Sequence, residues 1–247
     1  MPDGEVGDTI NPGALITHKP NNQNNLKTYP PKNLQTLIME QYDLILILII
    51  IPIVFTSLKA FKDQILFNKL LFNAYRIKHF KEWYRFFSHG LVHGDMMHLG
   101  FNMYVLWMFG DIVMVFFTKY FGVMANLAFL GLFIPALLLS SLGSFFKHKD
   151  NGHYNAVGAS GAVSAIVFAS IILYPEGRMG LLFIPFRLPS WLFGLLYLIF
   201  TAYMDKKQIN NIGHNAHFWG SIYGVIYILV VHSESFGHFF QVVFGGV

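Results

Sequence analysis

Long apolar runs separated by short polar joints dominate this chain, and the run lengths are those of helices. They predict helices over about 40–60, 94–117, 121–142, 159–175, 189–204 and 214–232. A bilayer core about 30 Å thick takes roughly 20 apolar residues at about 1.5 Å each. The expectation is therefore an all-α membrane protein, a six-transmembrane-helix bundle in one domain. Pro52 falls inside the first run, where membrane helices tolerate proline if neighbours satisfy the freed carbonyl. Pro185, Arg187 and Pro189 crowd the start of the fifth. Residues 61–92 break the pattern with a basic, aromatic connection (Lys78-His79-Phe80-Lys81-Glu82-Trp83-Tyr84-Arg85) suited to the headgroup layer.

Three segments set the domain limits. Residues 1–36 are rich in Asn, Pro and Gly and read as a disordered tail; 37–235 form the membrane domain; 236–247 form a C-terminal tail.

Composition agrees with the runs. Of 247 residues, 54% are hydrophobic and 12% charged, where a soluble domain carries roughly 25% charged. The net charge of +4 is scattered over loops, so no nucleic-acid partner is expected. Cysteine is absent, which excludes disulfides, thiolate catalysis and cysteine-ligated metal. No basic stretch followed by an apolar core opens the chain, so no cleaved signal peptide is expected. With Lys59 counted in the first connection, eleven Lys and Arg lie on one side of the bundle and six on the other. The positive-inside bias would put the longer connections in the cytoplasm.

Helix counting gathers the unusual polar residues. The second, fourth and sixth runs start from one face and point the same way. His93, His98 and Asn102 lie in the first turns of the second, Ser160 opens the fourth, and His217 lies in the first turn of the sixth. Polar groups inside a bilayer are expensive, and a serine with a histidine suggests a nucleophile with its base. Ser160 is the candidate nucleophile and His217 the general base, later general acid. No Asp or Glu is placed to complete a triad, so a dyad is expected. Oxyanion donors would be the Ser160 backbone N–H, the His98 imidazole and the Asn102 amide, with His98 and Asn102 on one helix face. Gly220 and Gly224 form a small-residue seam on the His217 face. Gly161, Ala165 and Ala169 form a matching one beside Ser160. His89/His93 and His214/His217 have metal-ligand spacing, but carboxylates are scarce and no metal or other cofactor is expected.

Gly158-Ala159-Ser160-Gly161, His93-x4-His98-x3-Asn102 and Ala216-His217-x2-Gly220-x3-Gly224 together resemble the three signatures of rhomboid intramembrane serine proteases, in order over about 80–235. The resemblance implies a rhomboid-like bundle with a Ser160–His217 dyad in a water-filled cavity. His98 and Asn102 would assist the oxyanion, and His93 would support the site. It also implies single-pass transmembrane proteins as substrates, cut near that face, with membrane lipid as surroundings. The fifth helix and the loop around 204–213 would be gate and cap. The family's adjacent Trp-Arg pair is replaced here by Trp83-Tyr84-Arg85, with Arg85 at the better spacing to His93. The family's usual cytoplasmic N-terminus runs against the charge count.

Two other readings compete. A catalytically inactive rhomboid-like protein would bind transmembrane clients, although such proteins have lost the Ser or His retained here. A small transporter would favour inverted repeats and polar groups at the midplane, neither of which is seen. The expected setting is a bacterial plasma membrane, and the oligomeric state is open.

Overall fold

The computed structural model describes residues 43–180, 186–207 and 213–245. The N-terminal segment 1–36 and residues 208–212 of the 204–213 loop lie outside the described residues. Helix α1 (Asp43–Ala60) is followed by three short helices: α2 (Gln64–Leu70), α3 (Ala74–Phe80) and α4 (Arg85–Ser88). Then come α5 (Met96–Phe121), α6 (Ala125–His148), α7 (Ser160–Leu173), α8 (Ser190–Lys207), α9 (His214–Val231) and α10 (Glu234–Phe244). Two-residue strands β1 (Arg178–Met179) and β2 (Leu188–Pro189) pair antiparallel between α7 and α8. The fold is all-α, and the long helices fall on the predicted apolar runs.

Local chemistry sets the helix ends. Asp63 caps α2 by accepting from the Ile65 and Leu66 N–H groups, and Asn73 caps α3 through Arg76 N–H. Asp95 caps α5 by accepting from His98 N–H at 2.8 Å, which fixes the turn that carries His98. Lys81 ends α3 in the left-handed region at φ 61°.

By length and hydropathy, the run Met96–His148 qualifies to cross a membrane, and α9 with α10 qualifies as a bent pair. The first run is not one rod. A continuous helix of that length would extend about 80 Å, yet Leu137 O lies 3.4 Å from His89 Nε2, just ahead of α5. The chain has turned back after Phe121, so α5 and α6 are antiparallel.

Helix α7 is the centre of the bundle. Every one of its residues except Ser160 and Val167 is buried, as expected for a helix apolar on all sides. Leu106 and Phe117 of α5, Phe129 and Leu132 of α6 and Ile228 of α9 join Ile166 and Leu173 in one core. The outer surface is apolar too, with Leu48, Ile51 and Phe55 of α1 and Ile199 and Phe200 of α8 exposed. Water would penalise such faces; hydrocarbon does not.

Pro135 lies inside α6 and has no N–H for the carbonyl four residues earlier. That carbonyl belongs to Gly131, and Tyr223 of α9 donates its hydroxyl to it at 2.7 Å. Tyr227 donates likewise to Ala128 O at 2.7 Å. Two phenols thus fasten α9 to the proline-containing helix.

Candidate active site

The nucleophile candidate is held by the chain before it. In the 61–92 connection, Phe72 pairs with Ala156 as an antiparallel bridge, with N···O distances of 2.9 and 3.1 Å. Asn73 Nδ2 donates to Gly152 O and Asn155 Oδ1 at 3.0 and 2.9 Å. His89 accepts at its own carbonyl from Gly158 N–H (2.9 Å) and turns its ring Nδ1 to Gly158 O (3.1 Å). Gly158 must be glycine: its φ is +103°, and a β-carbon there would meet His98 Cε1 at 2.8 Å.

His93 is fully buried and joins three elements. Ser57 of α1 donates its hydroxyl to Leu91 O (3.0 Å) and faces His93 Nδ1 (3.1 Å). One hydroxyl has one proton, so His93 carries its hydrogen on Nδ1, and Nε2 is left to accept from Ala159 N–H at 3.5 Å. His93 thereby touches the residue before Ser160. The predicted histidine spacings serve hydrogen bonding: His89 and His93 each address backbone around Ser160. Among the described residues, no group of three His, Cys, Asp or Glu side chains converges.

Arg85 is 2% exposed and sits at one remove from the serine. Its guanidinium donates to Asn68 O (3.0 Å) and Leu71 O (2.6 Å), and it pairs with Glu82. It therefore fixes the chain next to Phe72, the residue bridged to Ala156. Glu82 also binds Arg76 at 2.5 Å; Arg76 foremost, with Arg85, holds the Glu82 carboxyl down at about 2. Lys78 pairs with Asp150. Several cations of this connection therefore have protein partners.

Ser160 opens α7 and His217 lies in the first turn of α9, with His217 Nε2 2.8 Å from Ser160 Oγ. Both are half-buried. The glycine seams meet where this pair forms. A β-carbon at Gly220 would overlap Gly161 O, and one at Gly224 would overlap Ala165 O. Two helix backbones in contact bring a hydroxyl and an imidazole on opposite helices within a hydrogen bond. Among the described residues, no carboxylate is hydrogen-bonded to His217; Asp205 binds Asn215 (3.2 Å) and Lys147 (3.4 Å) instead.

His98 and Asn102 stand across the same cavity of about 800 Å³, lined also by Phe101, Phe193 and Tyr197. Gly94 N–H approaches His98 Nδ1 at 3.4 Å, which leaves the hydrogen on Nε2, the nitrogen beside Gly158. Asn102 is buried and spends one amide hydrogen on His98 O at 2.9 Å; the second remains for the cavity. The site residues predicted from sequence meet around Ser160, except Arg85, which lies at one remove, and Gly224, which packs deeper on Ala165. Three others were not foreseen in these roles. Ser57 orients His93 and His89 brackets Gly158. The third, Tyr197, presents its ring to His217 at 6.4 Å between centroids and hydrogen-bonds Ser164 at 3.3 Å. The spacing of His89 four residues before His93 was the one available signal.

Residues 81–234 match the Rhomboid domain family. The presenilin-associated rhomboid-like protein, mitochondrial, of Rattus norvegicus is 27% identical over 153 residues, covering 57% of this chain and 36% of that protein. Its Homo sapiens counterpart is 26% identical over 153 residues with the same coverage. Rhomboid protein 1, mitochondrial, of Saccharomyces cerevisiae is 28% identical over 142 residues, 55% of this chain and 38% of the relative. The match thus spans little more than a third of these relatives' length. Their names are mitochondrial and lend no support to the expected bacterial plasma membrane. With a bundle packed on α7, an apolar exterior and a family match across the whole site, the chain belongs to the rhomboid family of integral membrane proteins.

Proposed function

We propose that this chain is an intramembrane serine endopeptidase that cuts single-pass transmembrane proteins with a Ser160–His217 dyad. The observation that carries the reading is the 2.8 Å bond between Ser160 Oγ and His217 Nε2, made across two helices and open to a cavity. In a structural role a buried serine would bond its own helix, as Ser221 Oγ does to His217 O at 2.8 Å. The six long helices α1, α5, α6, α7, α8 and α9 would cross the bilayer.

His217 takes the proton as Ser160 Oγ attacks the scissile carbonyl carbon. The C–N bond then breaks, and His217 returns the proton to the leaving amine. Water, deprotonated by His217, attacks the Ser160 ester; the C–Oγ bond breaks, His217 returns the proton to Ser160 Oγ, and the new carboxyl end is freed. The tetrahedral oxyanion would accept hydrogen bonds from Ser160 N–H at the α7 N-terminus, His98 Nε2–H and Asn102 Nδ2–H. Gly158 and Gly161 give the serine turn its shape. Gly220 and Gly224 set the depth of α9, and His93 with Arg85 hold the turn from behind.

A fluorophosphonate probe in detergent tests the dyad. Labelling of wild type that is lost in both Ser160→Ala and His217→Ala supports it. A folded wild type that stays unlabelled favours the client-binding alternative.

A further inference from the structure

Beyond Val231 the chain bends by 118° and forms α10, Glu234–Phe244. Helices α5, α7 and α9 start at the dyad, so this turn lies at the opposite face of the bundle. On a helical wheel of about 3.6 residues per turn, Phe236, Phe239, Phe240, Val243 and Phe244 share one broad apolar side, with Glu234, His238 and Gln241 opposite. The protein covers only part of that apolar side. Phe236 and Phe239 pack on the main core and Ser235 is buried. Phe240 and Phe244, one turn apart and stacked at 5.9 Å, are 52% and 68% exposed.

The roll of the helix is fixed from both flanks. His232 Nδ1 lies 2.7 Å from Ser235 Oγ at its start, and His238 Nε2 lies 2.5 Å from Glu176 Oε1, just beyond α7. With that roll set, the Phe240–Phe244 edge is left exposed beside the covered Phe236–Phe239 side, and Gln241 and Glu234 are exposed on the polar side of the wheel.

We propose that α10 is an in-plane membrane helix whose Phe240 and Phe244 rings enter the acyl boundary of the leaflet opposite the dyad. The occupant of this surface is the bilayer that the body already spans. The exposed edge is apolar without a neighbouring Lys or Arg on α10, so burial of rings rather than attraction to anionic headgroups holds it there.

The chain has no cysteine, so single nitroxide labels are unambiguous. The full chain, carrying Phe240→Cys, Phe244→Cys, Gln241→Cys or Glu234→Cys, is labelled and reconstituted in phosphatidylcholine vesicles. Collision rates are read with oxygen and with a water-soluble nickel chelate. The oxygen-to-nickel ratio should be several-fold higher at 240 and 244 than at 241 and 234. Equal ratios at all four positions would overturn the proposal, because the edge would then face water. Exclusion of both reagents at 240 and 244 would also overturn it, in favour of a second copy or another protein on this face. Should a labelled variant fail to fold, Phe240→Trp gives an independent reading. Its emission over wild type should be quenched by phosphatidylcholine brominated on the acyl chain, and unquenched emission would count equally against the proposal.

Discussion

Gly220 of α9 rests against the carbonyl of Gly161 in α7, one residue after Ser160 and three after His217. No side chain fits between them. Gly220→Ala must push the helices apart at the depth where the 2.8 Å bond forms. A misplacement near 1 Å costs about a hundredfold in rate. Cleavage by Gly220→Ala should fall by that order while far-UV circular dichroism is retained; wild-type rates would show that the contact does not set the dyad distance.

Asn102→Ala should slow catalysis without unfolding the chain. Loss of one oxyanion donor typically lowers kcat by about a hundred- to a thousandfold. Initial rates at saturating substrate are the readout, and full activity would remove Asn102 from the oxyanion role.

Tyr223→Phe leaves Gly131 O, already deprived by Pro135, without its donor. A buried unsatisfied carbonyl costs about 1–3 kcal/mol, so the variant should melt at lower temperature. Adding Pro135→Ala restores an N–H to the same carbonyl, so the double variant should recover part of the loss. Purely additive effects would contradict this account.

The pH response of the 61–92 connection follows from Glu82, whose carboxyl is held at about 2 against an ordinary 4.5. Protonation is thus resisted in the folded state and not in the unfolded one. The stabilisation is complete above about pH 4.5, declines as pH falls, and is lost on passing about 2. Melting temperatures of wild type and Glu82→Gln should therefore converge as pH is lowered from 5 towards 2. Parallel curves would show that Arg76 and Arg85 do not hold this carboxylate.

Apolar run length made the six long helices legible, because a helix in lipid must be apolar for most of its length. The gathering at Ser160, His217, His98 and Asn102 was legible for a related reason: alternating helices share an end, and polar groups at helix starts in lipid stand out. The 61–92 connection was not. Its bonds join Phe72 to Ala156 and His89 to Gly158, residues some seventy to eighty apart, and such pairings leave no local period. Arg85 read as site support through its spacing to His93, but its burial rests on backbone carbonyls that composition does not reveal. Residues 236–247 read as a C-terminal tail, whereas the chain forms a helix from Glu234 to Phe244. Its division into covered and uncovered apolar edges appears only once α10 is folded onto the body.

The most direct test of the central claim is cleavage of a single-pass transmembrane protein in proteoliposomes, with product masses recorded for wild type, Ser160→Ala and His217→Ala. The account predicts one cut within or at the edge of the substrate helix by wild type and none by either variant. Substantial cleavage by Ser160→Ala would contradict the assignment of the nucleophile.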